Sequence, residues 1–294
     1  MAMDRRTFLR VSAGAAGGCL LCADATLASP GKKQQDFGSN VAMLNDLTRC
    51  VGCRACQSAC KSYYDLDQYG PMEGLDTPGG LSEANHCVIK EYKEGDEQSY
   101  IKRQCMHCNH PSCVSACPVA ALEKQDNGVV TYDPDACIGC RYCMVACPFN
   151  VPRFEWNSAA PKIQKCTFCE ERIAAGEDPV CEDACPTDAI TFGTRDELLK
   201  EAHRRIAENP DRYENEVYGE TNAGGTSVIY LAGVSFDKLG LRDFGEEPLP
   251  ELAEKVQHGI FKFFVAPVAL FGLLGLTRAS NMRCDPDDED CIEE

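Results

Sequence analysis

Alternation of apolar and polar positions predicts a β-hairpin in the first third of the chain. The segments "VIKEY" (88–92) and "SYIKRQC" (99–105) both alternate, and "KEGDEQ" joins them as a turn. Three further strands are expected, in "GVVTYDPDAC" (128–137), "AITFGT" (189–194) and "TSVIYLAGVSF" (226–236). Between the last two, "RDELLKEAHRRIAEN" places Leu198, Leu199, Ala202 and Ile206 at helical spacing, which predicts an amphipathic helix. Near the C-terminus the pattern loses all period: Ile260 to Leu276 is a seventeen-residue apolar run broken only by Lys262. That length is marginal for a membrane span, and Lys262, near one end, could reach the interface. A transmembrane helix is therefore expected over 258–278, followed by an acidic tail over 279–294.

Large parts of the chain between these elements have neither period, and cysteine fills them. Of twenty-one cysteines, sixteen fall into four quartets, each ending C-x3-C. The first, "CVGCRACQSAC", holds Cys50, Cys53, Cys56 and Cys60. The second holds Cys105, Cys108, Cys113 and Cys117, the third Cys137, Cys140, Cys143 and Cys147, and the fourth Cys166, Cys169, Cys181 and Cys185. Pro118, Pro148 and Pro186 follow the last three quartets, whereas Lys61 follows the first. This is an internal repeat, and it has to be read before local structure. C-x2-C-x2-C-x3-C is the spacing of bacterial [4Fe–4S] loops, whose last cysteine serves the other cluster of a pair. Zinc would use C-x2-C pairs from separate knuckles, not three such thiols closed by C-x3-C. Disulfides among neighbours this close would be strained. Sixteen thiolates at four per cluster imply four [4Fe–4S] clusters. Short strands flanking these loops, with a helix after each Cys-Pro, would make two ferredoxin-like βαβ units.

Composition narrows the function. The net charge of −17 excludes the basic footprint that nucleic acid requires. No phosphate-binding glycine loop and no Ser/His/Asp set stands out, so the chain is not expected to be catalytic by itself. With 44% hydrophobic and 26% charged residues it is not a disordered chain, yet much of its core must be inorganic. At the N-terminus Arg5 and Arg6 precede Phe8, Leu9 and a Gly/Ala-rich stretch, which predicts a twin-arginine (Tat) export signal over 1–28. Lys61, Arg54 and Arg141 sit beside cysteines and are candidates for raising local potentials, or are plain surface charge. Cys87 is expected to be a buried free thiol.

The segments "QCMHC…PSCVSACPVAAL", "CIGCRYCMVACPFNVPRF" and "KCTFCEER" resemble the four-cluster ferredoxin-like iron–sulfur subunits of respiratory membrane oxidoreductases. A Tat signal together with a C-terminal span looks most like the subunit of hydrogenase-2-type [NiFe] uptake hydrogenases. The resemblance implies an α+β fold of tandem ferredoxin-like (bacterial 2[4Fe–4S]) units over 29–195, with an extension over 196–257 packing on them or on a partner. It also implies interlocked ligand sets: Cys50, Cys53, Cys56 and Cys185 for cluster 1; Cys60, Cys166, Cys169 and Cys181 for cluster 2. Cys105, Cys108, Cys113 and Cys147 would hold cluster 3, and Cys117, Cys137, Cys140 and Cys143 cluster 4. Its implied partners are the [NiFe] hydrogenase small and large subunits and an integral membrane quinone-binding subunit, on the periplasmic side of the cytoplasmic membrane. The alternative is the electron-transfer subunit of a periplasmic molybdopterin oxidoreductase such as a formate dehydrogenase, or of a sulfur-compound, tetrathionate or nitrite reductase.

Overall fold

The computed structural model describes residues 37–69, 80–158 and 161–281. The expected export signal over 1–28 and most of the acidic tail lie outside the described residues. Residues 36–251 form one compact unit, and the C-terminal helix belongs to a second.

The strands are β1 (Val41–Asp46), β2 (Val88–Glu94), β3 (Glu97–Arg103), β4 (Leu122–Lys124), β5 (Val130–Tyr132), β6 (Arg153–Phe154), β7 (Ile163–Gln164), β8 (Ile190–Thr194) and β9 (Val228–Leu231). The helices are α1 (Ala55–Tyr63), α2 (Ser112–Ser115), α3 (Tyr142–Ala146), α4 (Glu170–Ala174), α5 (Val180–Asp183), α6 (Arg195–Glu208) and α7 (Glu251–Asn281). The expected hairpin forms as β2–β3, with Val88 opposite Arg103 and the turn at Gly95. The strands expected in the other three segments form as β5, β8 and β9, and the amphipathic helix forms as α6.

β1 is the centre of a three-stranded sheet, with β8 antiparallel on one side and β9 parallel on the other. Alternation along β1 and β9 explains why both faces of this sheet are covered. Ala42, Leu44, Ile229 and Leu231 pack with Leu198, Ala202 and Ile206 of α6, forming an aliphatic core. Met43, Val228 and Tyr230 point the other way and pack with Cys56, Cys105, Cys181 and Phe168. The sheet thus divides a hydrocarbon core from a sulfur-rich one. Asp46, at the end of β1, ties the two together: Arg205 of α6 lies 3.1 Å from its Oδ2, and the Tyr213 hydroxyl donates to the same oxygen at 2.8 Å.

The middle of the chain contributes two small hairpins, β4–β5 and β6–β7. Their inner faces, Leu122, Val130, Phe154 and Ile163, pack with Cys143 and against Cys113, Cys117 and Cys137.

One expectation is corrected. The helices do not follow the Cys-Pro steps; α2, α3 and α5 precede them and stop there. A residue before proline is pushed out of the helical region, and Cys147 is accordingly extended, at φ −75° and ψ 114°. The first quartet shows the converse. With Lys61 in place of proline, α1 runs through Cys60 as far as Tyr63.

Helix α7 is a single 31-residue helix containing Pro267. Leu252, Phe263, Phe264, Phe271 and Leu276 are among its exposed apolar residues, which lie on no single face. Among the described residues no helix is long and apolar enough to cross a membrane, so the span expected over 258–278 is not borne by that measure.

Candidate metal centre

Each quartet is built on a loop held in an unusual backbone conformation. The first and third share the spacing C-x-G-C-R and the backbone conformation of its glycine and arginine. Gly52 and Gly139 both take φ +69°, while Arg54 and Arg141 take φ +66° and +64° and open α1 and α3. The second and fourth place His107 (φ +45°) and Phe168 (φ +60°) where the others have glycine. Beyond the last three quartets Ala120, Asn150 and Asp188, each three residues after the fourth cysteine, are also left-handed. Of ten non-glycine residues with positive φ among the described residues, eight belong to these loops. A left-handed residue other than glycine costs on the order of 1–3 kcal/mol, so the strain is concentrated around the cysteines. It turns backbone N–H groups toward sulfur: Gly139 N–H points at Cys137 Sγ at 3.5 Å, and Phe168 N–H at Cys166 Sγ at 3.4 Å.

His107 and Phe168 do more than replace glycine. Both are buried, and their rings stack with centroids 4.3 Å apart, so the second and fourth quartets meet through them. The His107 Nδ1 accepts the Val130 N–H at 3.0 Å, which fixes the ring against β5.

The topology determines which quartets share space. Pairing of β1 with β8 and packing of α1 on α5 bring the first and fourth together, and α2 packs on α3 to join the second and third. Cys50, Cys53, Cys56 and Cys185 line one cavity, with Ile89, Lys102 and Pro186 in its wall. Cys117, Cys137, Cys140 and Cys143 line another, with Tyr132, Arg141 and Ile163. The thiols close enough to oppose ionisation of Cys108 are Cys105, Cys147 and Cys113. Around Cys60 they are Cys87, Cys166 and Cys181, and Cys169 in turn neighbours Cys181. Cys53 and Cys140, one in each outer cavity, are exposed to solvent, whereas Cys60, Cys169 and Cys181 are buried. All seventeen described cysteines are free thiols.

Burial is the main influence on the thiols, pushing Cys143 up to about 11 and Cys113 up to about 12. For Cys50 the same upward push is eased by the Gly52 N–H. Such thiols stay protonated at neutral pH unless a metal takes the proton's place, and iron binding here releases protons. The donor set fits a cubane cluster. It is soft thiolate throughout, three ligands converge from each loop, and the fourth arrives from a distant loop.

Lysines surround these loops from within. Lys165 donates to the carbonyl oxygens of Val130 at 2.5 Å and Cys166 at 3.0 Å. Lys124 donates to the carbonyls of Cys108 and Gly128, and burial pulls its pKa down to about 8. Lys102 reaches Cys181 Sγ itself, at 3.1 Å. Of the charges singled out in the sequence, Lys61 instead serves the carbonyls of Leu66 and Ala84, and Arg141 is stacked between Phe154 and Trp156. The three lysines that approach the loops were missed. The available signal was their place on or beside strands that enter cysteine loops. Cys87 is buried as expected, with its Sγ 3.8 Å from the Cys56 carbonyl oxygen.

Gly52 offers a direct check on the loop geometry. A Cβ there would lie 2.5 Å from the Tyr100 ring, in addition to the strain of φ +69°. Gly52→Ala is expected to lose one cluster and retain three, read as a drop of about a quarter in iron per chain. An unchanged iron content would show that this turn does not shape the site.

Two families described as 4Fe-4S dicluster domains match the chain, over residues 97–195 and 42–118. Two dicluster domains carry four [4Fe–4S] clusters. The chain is 34% identical to the hydrogenase-2 operon protein HybA of Escherichia coli O157:H7, over 97% of this chain and 98% of that protein. It is 37% identical to the formate dehydrogenase-O iron-sulfur subunit of Escherichia coli K12, over 86% of this chain and 85% of that subunit. A protein of Nitratidesulfovibrio vulgaris Hildenborough matches at 37% over 99% of this chain and 82% of its own length. The paired cysteine loops, their shared backbone and these likenesses over nearly the whole chain lead to one conclusion: the protein belongs to the 4Fe–4S dicluster family of iron–sulfur electron-transfer subunits.

Proposed function

We propose that this chain relays electrons between a periplasmic [NiFe] hydrogenase core and a quinone-reducing membrane subunit. Its sixteen loop cysteines divide as Cys50, Cys53, Cys56 and Cys185; Cys60, Cys166, Cys169 and Cys181; Cys105, Cys108, Cys113 and Cys147; and Cys117, Cys137, Cys140 and Cys143. The observation that carries the reading is four adjoining thiol neighbourhoods within one unit: Cys56 neighbours Cys181, Cys166 neighbours Cys105 and Cys113 neighbours Cys143, with solvent-exposed Cys53 and Cys140 in the two outer cavities. Electrons can enter at one exposed site and leave at the other, while the buried thiols between exclude water.

The bound clusters supply one-electron oxidation and reduction. The residues of the chain hold, space and insulate them. Backbone N–H groups aimed at Cys137 and Cys166 Sγ stabilise negative charge on sulfur and so favour the oxidised-to-reduced step. No proton need move at any thiol, because each is already deprotonated by its metal.

The hydrogenase assignment rests on the full-length likeness to HybA, together with Arg5 and Arg6 near the N-terminus. Export by the Tat route, periplasmic location and attachment through residues 258–278 complete it. The attachment is supported by the apolar exposure around α7, a pattern that suits lipid or a membrane-embedded partner. A second reading, a formate dehydrogenase relay, is favoured by the 37% identity to the formate dehydrogenase-O subunit. Affinity purification of the tagged chain from solubilised membranes decides between them. Co-purifying [NiFe] subunits and H2-dependent quinone reduction are expected. A molybdopterin subunit in their place would transfer the assignment to the second reading, and recovery of the chain with no redox partner would defeat both.

A further inference from the structure

Lys102 is 2% exposed and lies at the end of β3, and among the described residues its ammonium hydrogen-bonds to sulfur alone: Cys181 Sγ at 3.1 Å and Met43 Sδ at 3.3 Å. A buried ammonium is costly unless an opposite charge lies beside it. The buried carboxylate in the same cavity wall, Asp46, is already engaged by Arg205, Tyr213 and Thr48. Lys102 stands where the first and second thiol sets adjoin. It lines the cavity of Cys50, Cys53, Cys56 and Cys185, and it touches Cys181 of the next set. The buried Lys165 and the half-buried Lys124 differ, because both donate to carbonyl oxygens.

We propose that the Lys102 ammonium is the shared counter-charge of the first and second clusters, holding the reduction potentials of that pair above what their thiolates alone would give. The inference rests on the iron–sulfur reading of these sites and adds a positioning charge to it. A cation between two anionic centres favours an electron on either one and eases the repulsion between them. Cys181 is the contact, so the effect should be local to the pair and absent from clusters 3 and 4.

The test is an EPR-monitored redox titration of the cluster-loaded full chain and of two variants, with iron measured on each. Lys102→Met keeps length and removes charge; Lys102→Arg keeps charge. In Lys102→Met the reduced-to-oxidised ratio of two clusters at a fixed poise should fall about tenfold, a displacement of about 59 mV for a one-electron couple. The other two clusters should not move, and Lys102→Arg should stay near the parent protein. Iron loss in Lys102→Met that Lys102→Arg repairs also supports the counter-charge, because the same charge is then needed for assembly. Unchanged potentials with four clusters loaded, an equal shift of all four, or iron loss that Lys102→Arg does not repair would overturn it. Absence of iron from the parent protein would instead sink the iron–sulfur reading itself.

Discussion

Removal of iron from the purified protein should abolish the fold of residues 36–251 and not merely empty its sites. The sulfur-side core includes Cys56, Cys105 and Cys181 among its buried members, with Cys108, Cys147, Cys166 and Cys185 packed against it. The loops that carry the thiols hold eight left-handed non-glycine residues, and bound metal would offset that strain. The cluster-binding free energy is therefore folding free energy. On oxidative stripping with a chelator, near-ultraviolet circular dichroism should collapse and limited proteolysis should reach the loops between β1 and β8. The aliphatic core between the sheet and α6 is too small to hold the unit alone, since it draws on only about ten side chains. A stripped protein that kept its near-ultraviolet spectrum and its protease resistance would refute the metal-dependent core.

The second large effect is expected from Cys108→Ala. Cys108 lies in the inner pair, against Cys105, Cys113 and Cys147, so its loss interrupts the row between the outer sites. Alanine offers no donor atom, whereas serine could still ligate through oxygen. The variant chain itself should carry about three-quarters of the parent chain's iron. It should fail to reduce quinone with H2 while the hydrogenase core still reduces an artificial dye. Loss of both activities together with the partners would mean the chain failed to assemble, and iron analysis separates that outcome. Undiminished quinone reduction with one cluster missing would defeat the relay.

Regular elements were legible wherever side chains met other side chains. Period-two alternation located the β2–β3 hairpin, whose turn end is exposed, and helical spacing located α6, which has one face on the aliphatic core and one on solvent. The quartets were legible because ligand spacing is a matter of local chain geometry. Two things were hidden. The helices that end at Cys-Pro are four or five residues long, too short for a period to show, and only the restriction proline places on its predecessor marks their end. Lys102 was hidden for a deeper reason. Ile101 and Lys102 are both buried on opposite faces of β3, and a lysine next to an apolar residue in a strand reads as solvent-facing. When the second face is covered by thiols and metal, the rule fails, since the inorganic part of a core leaves no hydrophobic residues to betray it.

The interleaving of the chain also imposes an order of construction. The second and third quartets both lie within residues 105–147, whereas bringing the first quartet to the fourth needs Val41 to find Thr194 across more than half the polypeptide. Contacts that distant form late. A ribosome has therefore released residues 105–147 well before β8 exists, so the first cysteine loop must wait, reduced and unmetallated, for its final partner. Thiols held open for that interval are vulnerable to oxygen, and the maturation machinery has to protect the earliest-made loop for longest.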